Sequence, residues 1–226
     1  MNYQALITHL RADLMVFQNE EKIIAMENYM KNHFSFLGIT AQPRNTVQKV
    51  HFSDWKINLS LEEKWQLIFF LFQEKEREFQ YIAIDFLNRF PSKDIYESDI
   101  DRIEQLIQHK SWWDSVDNIA SNFLGKYAVK FPIQMRERIK KWMESENLWL
   151  QRSCLIFQLK FGIKTDFSLL TSLILELKYH QNFFIQKAIG WSLRQFAKFE
   201  PEKVKEFVLR NEISGLAYRE ALKNIQ

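Results

Sequence analysis

Four stretches of the chain can be aligned with one another at intervals of 35 or 36 residues, and the first is Phe79-Gln80-Tyr81-Ile82-Ala83. The stretches at the equivalent positions further along are Ser115-Val116-Asp117-Asn118-Ile119, Leu150-Gln151-Arg152-Ser153-Cys154 and Ile185-Gln186-Lys187-Ala188-Ile189. A fixed period of this length is typical of solenoids built from helical pairs, because each pair buries its apolar face only by stacking on its neighbours. Equivalent positions then line up along one surface. That surface is predicted to carry Tyr81, Asp117, Arg152 and Lys187.

The composition agrees with an all-helical chain. Of the 226 residues, 46% are apolar, and only 5 are Gly and 4 are Pro, which argues against a β-rich or disordered protein. The 20 Phe and 7 Trp side chains are too large to leave in water, so most are expected to pack between helices. We therefore expect one all-α domain over residues 1–226, a helical-pair solenoid of about six repeats.

Charge, cysteine content and hydropathy limit the classes of site and compartment. The net charge of +3 indicates a nucleic-acid partner only if the positive side chains gather on one face. The single cysteine, Cys154, excludes an internal disulfide and argues against a cysteine-based metal site. The first residues lack a signal-peptide pattern, and the longest apolar run, residues 67–72, is too short to span a bilayer. A cytoplasmic protein is expected.

Helical spacing of apolar residues runs through the whole chain. Ser60 and Glu63 form a capping box that starts one helix, and Pro43 suits the first turn of another, after a loop over residues 34–42. The predicted helices span residues 3–17, 20–33, 61–74, 76–90, 98–108, 111–130, 133–143, 148–161, 167–179, 183–199, 202–210 and 214–225.

One face of these helices carries the residues that are suited to chemistry. Trp113 and Asp117 are four residues apart and therefore project from the same face of one helix. Arg152 occupies the position of Asp117 one repeat later, and Lys187 follows one repeat further on. The helix of Lys187 continues with Trp191, Arg194 and Lys198. This pattern predicts two tryptophans that flank an Asp–Arg centre, with positive charge along one edge.

A second interpretation of the same residues stays open. Trp113 and Trp191 can be core residues, and Asp117 and Arg152 can be an ion pair between repeats, since charge pairs often stabilise helices. Solenoid cores, however, favour aliphatic residues at equivalent positions, whereas this register holds Tyr, Asp, Arg and Lys. The neighbouring aromatics are of the kind that stacks on nucleic-acid bases; they are Trp112 and Trp149.

The remaining polar residues form no recognisable site. The five histidines lack metal-ligand spacing, and the sequence contains no GxGxxG, P-loop or HExxH motif. Neither a metal nor a cofactor is expected.

Five blocks of the sequence carry a family resemblance. They are Tyr29-Met30-Lys31-Asn32-His33-Phe34 with Phe36-Leu37-Gly38-Ile39, Arg77-Glu78-Phe79-Gln80-Tyr81, Ser111-Trp112-Trp113-Asp114-Ser115-Val116-Asp117, Trp149-Leu150-Gln151-Arg152-Ser153 and Gln186-Lys187-Ala188-Ile189-Gly190-Trp191-Ser192-Leu193-Arg194. Together they cover most of the chain, and the last three are highly specific. With these blocks the chain resembles the AlkD-type DNA alkylation repair family of helical-repeat DNA glycosylases.

The resemblance implies a HEAT-like, right-handed α-α superhelix whose concave groove holds duplex DNA. Members of this family excise purines that are alkylated at N3 or N7. The residues that correspond to the family's active site are Asp117, Trp113, Trp191 and Arg152. The DNA-binding candidates are Tyr29, Arg44, Lys160, Lys187, Arg194 and Lys198.

The same resemblance implies a role for each group. The carboxylate of Asp117 stabilises a cationic sugar, the two indoles hold the deoxyribose, and Arg152 grips a phosphate while it keeps Asp117 ionised. Family members cradle the duplex and do not extrude the base, so bulky adducts are expected to be accepted. The expected protein is a monomeric, monofunctional glycosylase of DNA containing alkylated purines, without lyase chemistry.

Two points modify this expectation. Family members often carry paired arginines just beyond a proline, whereas here Pro43 is followed by Arg44-Asn45-Thr46, and this single base predicts a weaker grip on the DNA backbone. The alternative function is a non-catalytic HEAT-like repeat module that binds nucleic acid or protein through the same groove.

Overall fold

The computed structural model describes residues 1–223, and within that range the regular elements are all helical. The all-α class predicted from the sequence is therefore confirmed. The chain divides into two compact units, Met1–Asp94 and Ile95–Gln226. The expectation of one domain over the whole chain stays a prediction.

Over residues 1–94, the first unit consists of five α-helices, and several of their packing contacts join helices that are not consecutive in the chain. Helix α1 packs on α3 and α4, and α4 packs on α5. A 3₁₀ turn, Ser92–Asp94, ends the unit. The helices are α1 (Tyr3–Met15), α2 (Glu20–Tyr29), α3 (Ala41–Asn58), α4 (Leu61–Gln73) and α5 (Arg77–Leu87).

Local signals explain where two of these helices begin. The Oγ atom of Ser60 accepts a hydrogen bond from the backbone N–H of Glu63, and the Glu63 carboxylate accepts one from the backbone N–H of Ser60 at 2.9 Å. The predicted capping box is thus confirmed. Helix α3 begins at Ala41, so the predicted loop over residues 34–42 is two residues too long. Pro43 lies in the first turn of α3, where its missing N–H has no intrahelical acceptor to lose.

Aromatic side chains fill the core of this unit. Trp55, Trp65, Phe72 and Phe79 are buried, as expected from the cost of exposing such large apolar surfaces. A buried carboxylate, that of Glu78, accepts hydrogen bonds from the backbone N–H groups of residues 37 and 39 at 3.0–3.1 Å. This contact ties the connection before α3 to helix α5.

The second unit carries the longer series of helices. Helix α10 packs on α6, α7, α9, α11 and α12, and α12 packs closely on α14. The helices are α6 (Asp99–Gln108), α7 (Trp113–Ile119), α8 (Gly125–Lys130), α9 (Pro132–Glu144), α10 (Leu148–Ile156), α11 (Phe167–Leu177), α12 (Phe183–Ala197), α13 (Pro201–Arg210) and α14 (Gly215–Ala221).

Three predicted helices in this unit differ most from the structure, while the bounds of the others agree within two residues. The helix predicted over residues 111–130 is divided by a π-helical turn, Ala120–Leu124, between α7 and α8. Such turns inside α-helices are frequent near functional sites, and this one follows Asp117 by three residues. Helix α10 ends at Ile156 because Leu159 N–H bonds to the Ile156 carbonyl and closes a tighter turn. Helix α14 ends at Ala221, and residues 224–225 of the last predicted helix lie outside the described residues.

Over residues 1–223, none of the helices has both the length and the apolar character that crossing a membrane requires.

Candidate active site

A cavity of about 340 Å³ in the second unit brings together most of the residues singled out from the sequence. Helices α7, α10, α12 and α14 all contribute to its wall. The lining residues are Trp113, Asp117, Arg152, Phe183, Phe184, Lys187, Trp191, Arg194 and Glu220.

Helical spacing explains how three of the four helices reach the cavity. Trp113 and Asp117 lie one turn apart on α7. Lys187 and Trp191 have the same relation on α12. Helix α10 packs on both α7 and α12 and places Arg152 between them. The repeat register therefore does bring equivalent positions onto one surface within this unit.

Arg152 and Asp117 form a two-point ion pair at the centre of the site. Arg152 Nε donates to Asp117 Oδ1 at 2.7 Å, and Arg152 Nη2 donates to Asp117 Oδ2 at 2.8 Å. A third N–H, on Nη1, donates to the backbone carbonyl of Phe184. Only 5% of the Arg152 side chain and 14% of the Asp117 side chain are exposed. Parallel bonds of this kind fix orientation as well as charge.

This geometry gives Arg152 a more specific part than the sequence suggested. Its guanidinium is buried and donates hydrogen bonds to Asp117 and to the Phe184 carbonyl, so it fixes the position of the carboxylate. The predicted contact of Arg152 with a phosphate stays a prediction.

Burial has a direct effect on the carboxylate. Removal from water raises the pKa of Asp117 above its ordinary value of 3.8, and the hydrogen bonds and charge of Arg152 oppose that rise. Asp114, on the same helix, adds a smaller upward effect on the pKa. The carboxylate is thus desolvated, and the guanidinium favours its charged form.

The tryptophans of the site separate into two groups. Trp113 and Trp191 line the cavity and are half-buried, so the interpretation of both as core residues is wrong. Trp112 and Trp149 instead pack on each other and on Phe184, with ring centroids 5.1–5.7 Å apart. Both are half-buried and neither lines the cavity, so they contact its Phe184 wall, and their suitability for base stacking stays a prediction.

Glu220 is the charged residue of the site that the sequence reasoning missed, as it also missed Phe183 and Phe184. Its carboxylate pairs with Lys187 Nζ at 2.8 Å and also with the Arg194 guanidinium, which in addition donates to the Glu220 carbonyl at 3.2 Å. These two cations lower the pKa of Glu220 to about 2. Two of the three predicted DNA-binding side chains on α12 and at its end, Lys187 and Arg194, are therefore already paired with an acid.

A glycine explains why Glu220 comes so close. A Cβ atom added at Gly190 of α12 would lie 2.3 Å from the Glu220 Cβ and 2.8 Å from the Ala217 carbonyl oxygen. Only a residue without a side chain lets α14 approach α12 in this way. Gly190 occurs in the sequence block that carries the family resemblance, but nothing local in the sequence indicates its partner on α14.

The other predicted DNA-binding residues lie outside this cavity. Lys160 is exposed and its ammonium donates to Asn122 Oδ1, and Lys198 is exposed at the end of α12. Tyr29 and Arg44 belong to the first unit, where they line a separate cavity of about 550 Å³. Arg44 lies 4.9 Å above the Tyr81 ring and 3.5 Å from Asp85.

Comparison with known proteins identifies the family. The model of the family described as "DNA alkylation repair enzyme" matches residues 10–225. The chain belongs to this family. The family membership confirms the resemblance seen in the sequence and indicates DNA as the substrate class.

A solved structure of a family member agrees with this assignment. It is described as a predicted DNA alkylation repair enzyme from Enterococcus faecalis and superimposes with a TM-score of 0.85 at 33% identity. The similarity covers 92% of this chain and 96% of that one, so the DNA alkylation repair fold extends through nearly the whole chain. None of the curated proteins gives a significant match.

Proposed function

We propose that this member of the DNA alkylation repair family is a DNA glycosylase that hydrolyses the N-glycosidic bond of purines alkylated at N3 or N7 in duplex DNA. The observation that carries the proposal is the largely buried carboxylate of Asp117, held at both oxygens by Arg152 in a cavity lined by two indoles. That combination suits a reaction in which positive charge develops on a sugar.

An alkylated purine is a good leaving group, so a site that stabilises the cationic sugar is sufficient to cleave its glycosidic bond. A purine alkylated at N3 or N7 carries a formal positive charge, so its bond to C1′ is already weakened. When that bond breaks, its electron pair moves to N9 and the base leaves as a neutral molecule. The sugar becomes cationic at C1′, as in glycoside hydrolysis. Water then adds to C1′ and loses a proton, which leaves an abasic site.

Asp117 is the group that we assign to this cation. A fixed carboxylate in a desolvated cavity stabilises developing positive charge without any cost of reorganisation, and groups of this kind contribute about 3–4 kcal/mol. The same carboxylate can orient the water that attacks C1′ and accept its proton. Arg152 positions Asp117 for this role and favours its ionised form.

Trp113 and Trp191 are assigned to the sugar and its flanking backbone. The face of an indole ring is electron-rich and attracts a cation by about 0.5–2 kcal/mol. Because this attraction grows as the sugar becomes cationic, it favours the transition state over the ground state. Both rings line the cavity beside the carboxylate, as this role requires.

The base itself is assigned no pocket. Most glycosylases extrude the target nucleotide, which limits the size of the lesion that they accept. In our proposal the contacts are made to sugar and phosphates, with Lys187, Arg194, Lys160, Lys198, Arg44 and Tyr29 as the backbone contacts. Binding is then independent of sequence and sensitive to salt, and bulky N3 or N7 adducts are excised as well as methylated ones.

The proposed enzyme lacks lyase activity. A lyase needs a neutral amine that attacks C1′. The lysine among the residues that line this cavity is Lys187, and its Nζ is engaged in an ion pair with Glu220 at 2.8 Å. The product is therefore an intact strand with an abasic site.

The decisive test is a time course of base release from duplex DNA that contains a single 7-methylguanine. The wild type should release free base, Asp117→Asn should lose at least two orders of magnitude in rate while it retains DNA binding, and Glu144→Gln, an exposed acid of α9, should behave as the wild type. Release at the wild-type rate by Asp117→Asn would refute the assigned role.

The pairing of Lys187 and Arg194 with Glu220 favours a second candidate, a module that binds without catalysis. Side chains that are already neutralised contribute less to DNA binding. This alternative predicts that the wild type releases no base from N3- or N7-alkylated duplexes, methylated or bulky, although it binds a partner through the same surface.

A further inference from the structure

The first unit holds a second polar cavity that the proposed active site does not use. It has a volume of about 600 Å³ and is formed by α3, the start of α4 and the residues that follow α5. Five positive side chains line it: Lys49, Lys56, Lys64, Arg89 and Lys93. The lining contains one acid, Asp94.

This concentration of charge contrasts with the unit as a whole. Residues 1–94 contain eleven Lys and Arg against twelve Asp and Glu, a net charge of −1. Five of the eleven cations and one of the twelve acids face this one cavity. Within residues 1–223, none of these five cations has a carboxylate within ion-pair distance. Four of the five are exposed to solvent and Lys64 is half-buried, so the cluster forms a positive surface that an external anion can reach.

Helix electrostatics account for only part of the cluster. Lys56 lies in the last turn of α3 and Arg89 lies just beyond α5, where positive charge complements the helix dipole. Lys64 has the opposite placement, near the N-terminus of α4, where a cation is unfavourable. Lys49 lies in the middle of α3, one turn before Ser53, which also lines the cavity. The helix dipole therefore accounts for neither Lys49 nor Lys64.

The floor of the cavity is apolar. Phe52, Phe86 and Phe90 are buried, with centroid distances of 5.0 Å between the first two rings and 5.8 Å between the last two. The Arg89 guanidinium lies 5.0 Å above the Phe52 ring. Because the three rings are buried, they form only the floor, and the contacts offered to a ligand are those of the cationic rim, which suits a polymer that presents phosphates.

We propose that this cavity, lined by Lys49, Lys56, Lys64, Arg89 and Lys93, binds the phosphodiester backbone of a nucleic acid as a second contact region of the protein. The proposal takes duplex DNA as the polymer and rests on the proposed function in that respect only. The binding is electrostatic and independent of the lesion, so it retains the protein on undamaged DNA as well.

The test measures the salt dependence of binding to an undamaged duplex by fluorescence anisotropy. Each lost phosphate contact lowers the slope of log K against log salt by about 0.9. The double variant Lys56→Gln/Arg89→Gln should therefore lose about 2 from the slope. The matched control is Lys75→Gln/Lys205→Gln, which removes two exposed charges that line neither cavity and should keep the wild-type slope.

The alternative outcomes are distinct. An unchanged slope in the first double variant, with a wild-type circular dichroism spectrum, would overturn the proposal. So would equal losses in both double variants, because total charge alone would then explain the effect. Binding of inorganic triphosphate that depends on Lys56 and Arg89, with an unchanged duplex slope, would assign the cavity to a small polyphosphate and refute the nucleic-acid ligand.

Failure of this proposal is separable from failure of the glycosylase proposal. Single-turnover base release at saturating protein reports on the α7–α12 cavity and should be the same in the Lys56→Gln/Arg89→Gln variant as in the wild type. The anisotropy measurement uses DNA without a lesion and does not depend on excision.

Discussion

Replacement of Arg152 by Met tests whether the buried ion pair has the energetic role that its geometry indicates. The substitution keeps an unbranched apolar stem but removes both hydrogen bonds to Asp117 and the one to the Phe184 carbonyl. Asp117 then remains in a site where 14% of its side chain is exposed, without a compensating cation. Removal of one partner of a buried pair costs about 3–5 kcal/mol.

The ordinary titration of the carboxyl sets an upper limit on this cost. Protonation of an Asp with a pKa of 3.8 costs about 4 kcal/mol at pH 7, because each pH unit is worth about 1.4 kcal/mol. If an unpaired, charged carboxylate costs more than this protonation energy, Asp117 takes up a proton and becomes neutral. In the variant, the folded-state pKa of Asp117 is therefore raised far above its unfolded value, and the resulting loss of stability is largest at neutral pH. It decreases as the pH falls towards the unfolded pKa.

The assay is urea unfolding followed by circular dichroism at pH 7 and pH 5. The free energy of unfolding of Arg152→Met should fall by about 3–4 kcal/mol at pH 7, and the loss should shrink by about 2–3 kcal/mol at pH 5. Addition of Asp117→Asn to this variant should recover part of the loss at pH 7, because no charge is then stranded. A loss below about 1 kcal/mol at pH 7, or an equal loss at both pH values, would refute the reasoning.

Three further predictions concern the same cavity. Glu220→Gln should tighten duplex binding, because Lys187 and Arg194 then become available for phosphates. The slope of log K against log salt should steepen by up to about 2. Anisotropy titrations in KCl measure this slope, and an unchanged slope would contradict the prediction. Gly190→Ala should lower the free energy of unfolding, measured by urea denaturation, by about 1–3 kcal/mol, since its Cβ would overlap α14. A stability equal to that of the wild type would show that α14 can move to accommodate the methyl group and would contradict the prediction. The rate of excision should be full at neutral pH and should fall in acid as Asp117 becomes protonated. Because burial raises the pKa of Asp117, the midpoint of this acid limb should lie above pH 3.8. A midpoint at or below 3.8 in the pH–rate profile would exclude this assignment.

Several features of the fold could be predicted because they depend on short stretches of chain. The capping box at Ser60 needs only a side chain and a backbone group three residues away. The placement of Trp113 and Asp117 on one face needs only the pitch of a helix. The period of 35 or 36 residues then predicted that Arg152 would lie beside Asp117, and the two are in contact.

Other features depended on how helices pack, and local patterns do not encode this. The pair formed by Glu220 with Lys187 joins residues 33 positions apart, and nothing in the repeat register points to α14. The basic cavity of the first unit is likewise assembled from α3, α4 and the end of α5, whose lysines look like ordinary surface residues in the sequence.

The sequence by itself determined the helical class, the repeat and the face on which the candidate residues lie, since periodicity and capping act over a few residues. Only the tertiary structure decided the partners of those residues: Arg152 turns to Asp117 and the Phe184 carbonyl, and α12 and α14 meet closely enough for Glu220 to hold two cations. The physical reason is that charge pairing requires distances of about 3 Å. Such distances are set by the sum of many side-chain volumes between helices, including the missing Cβ of Gly190.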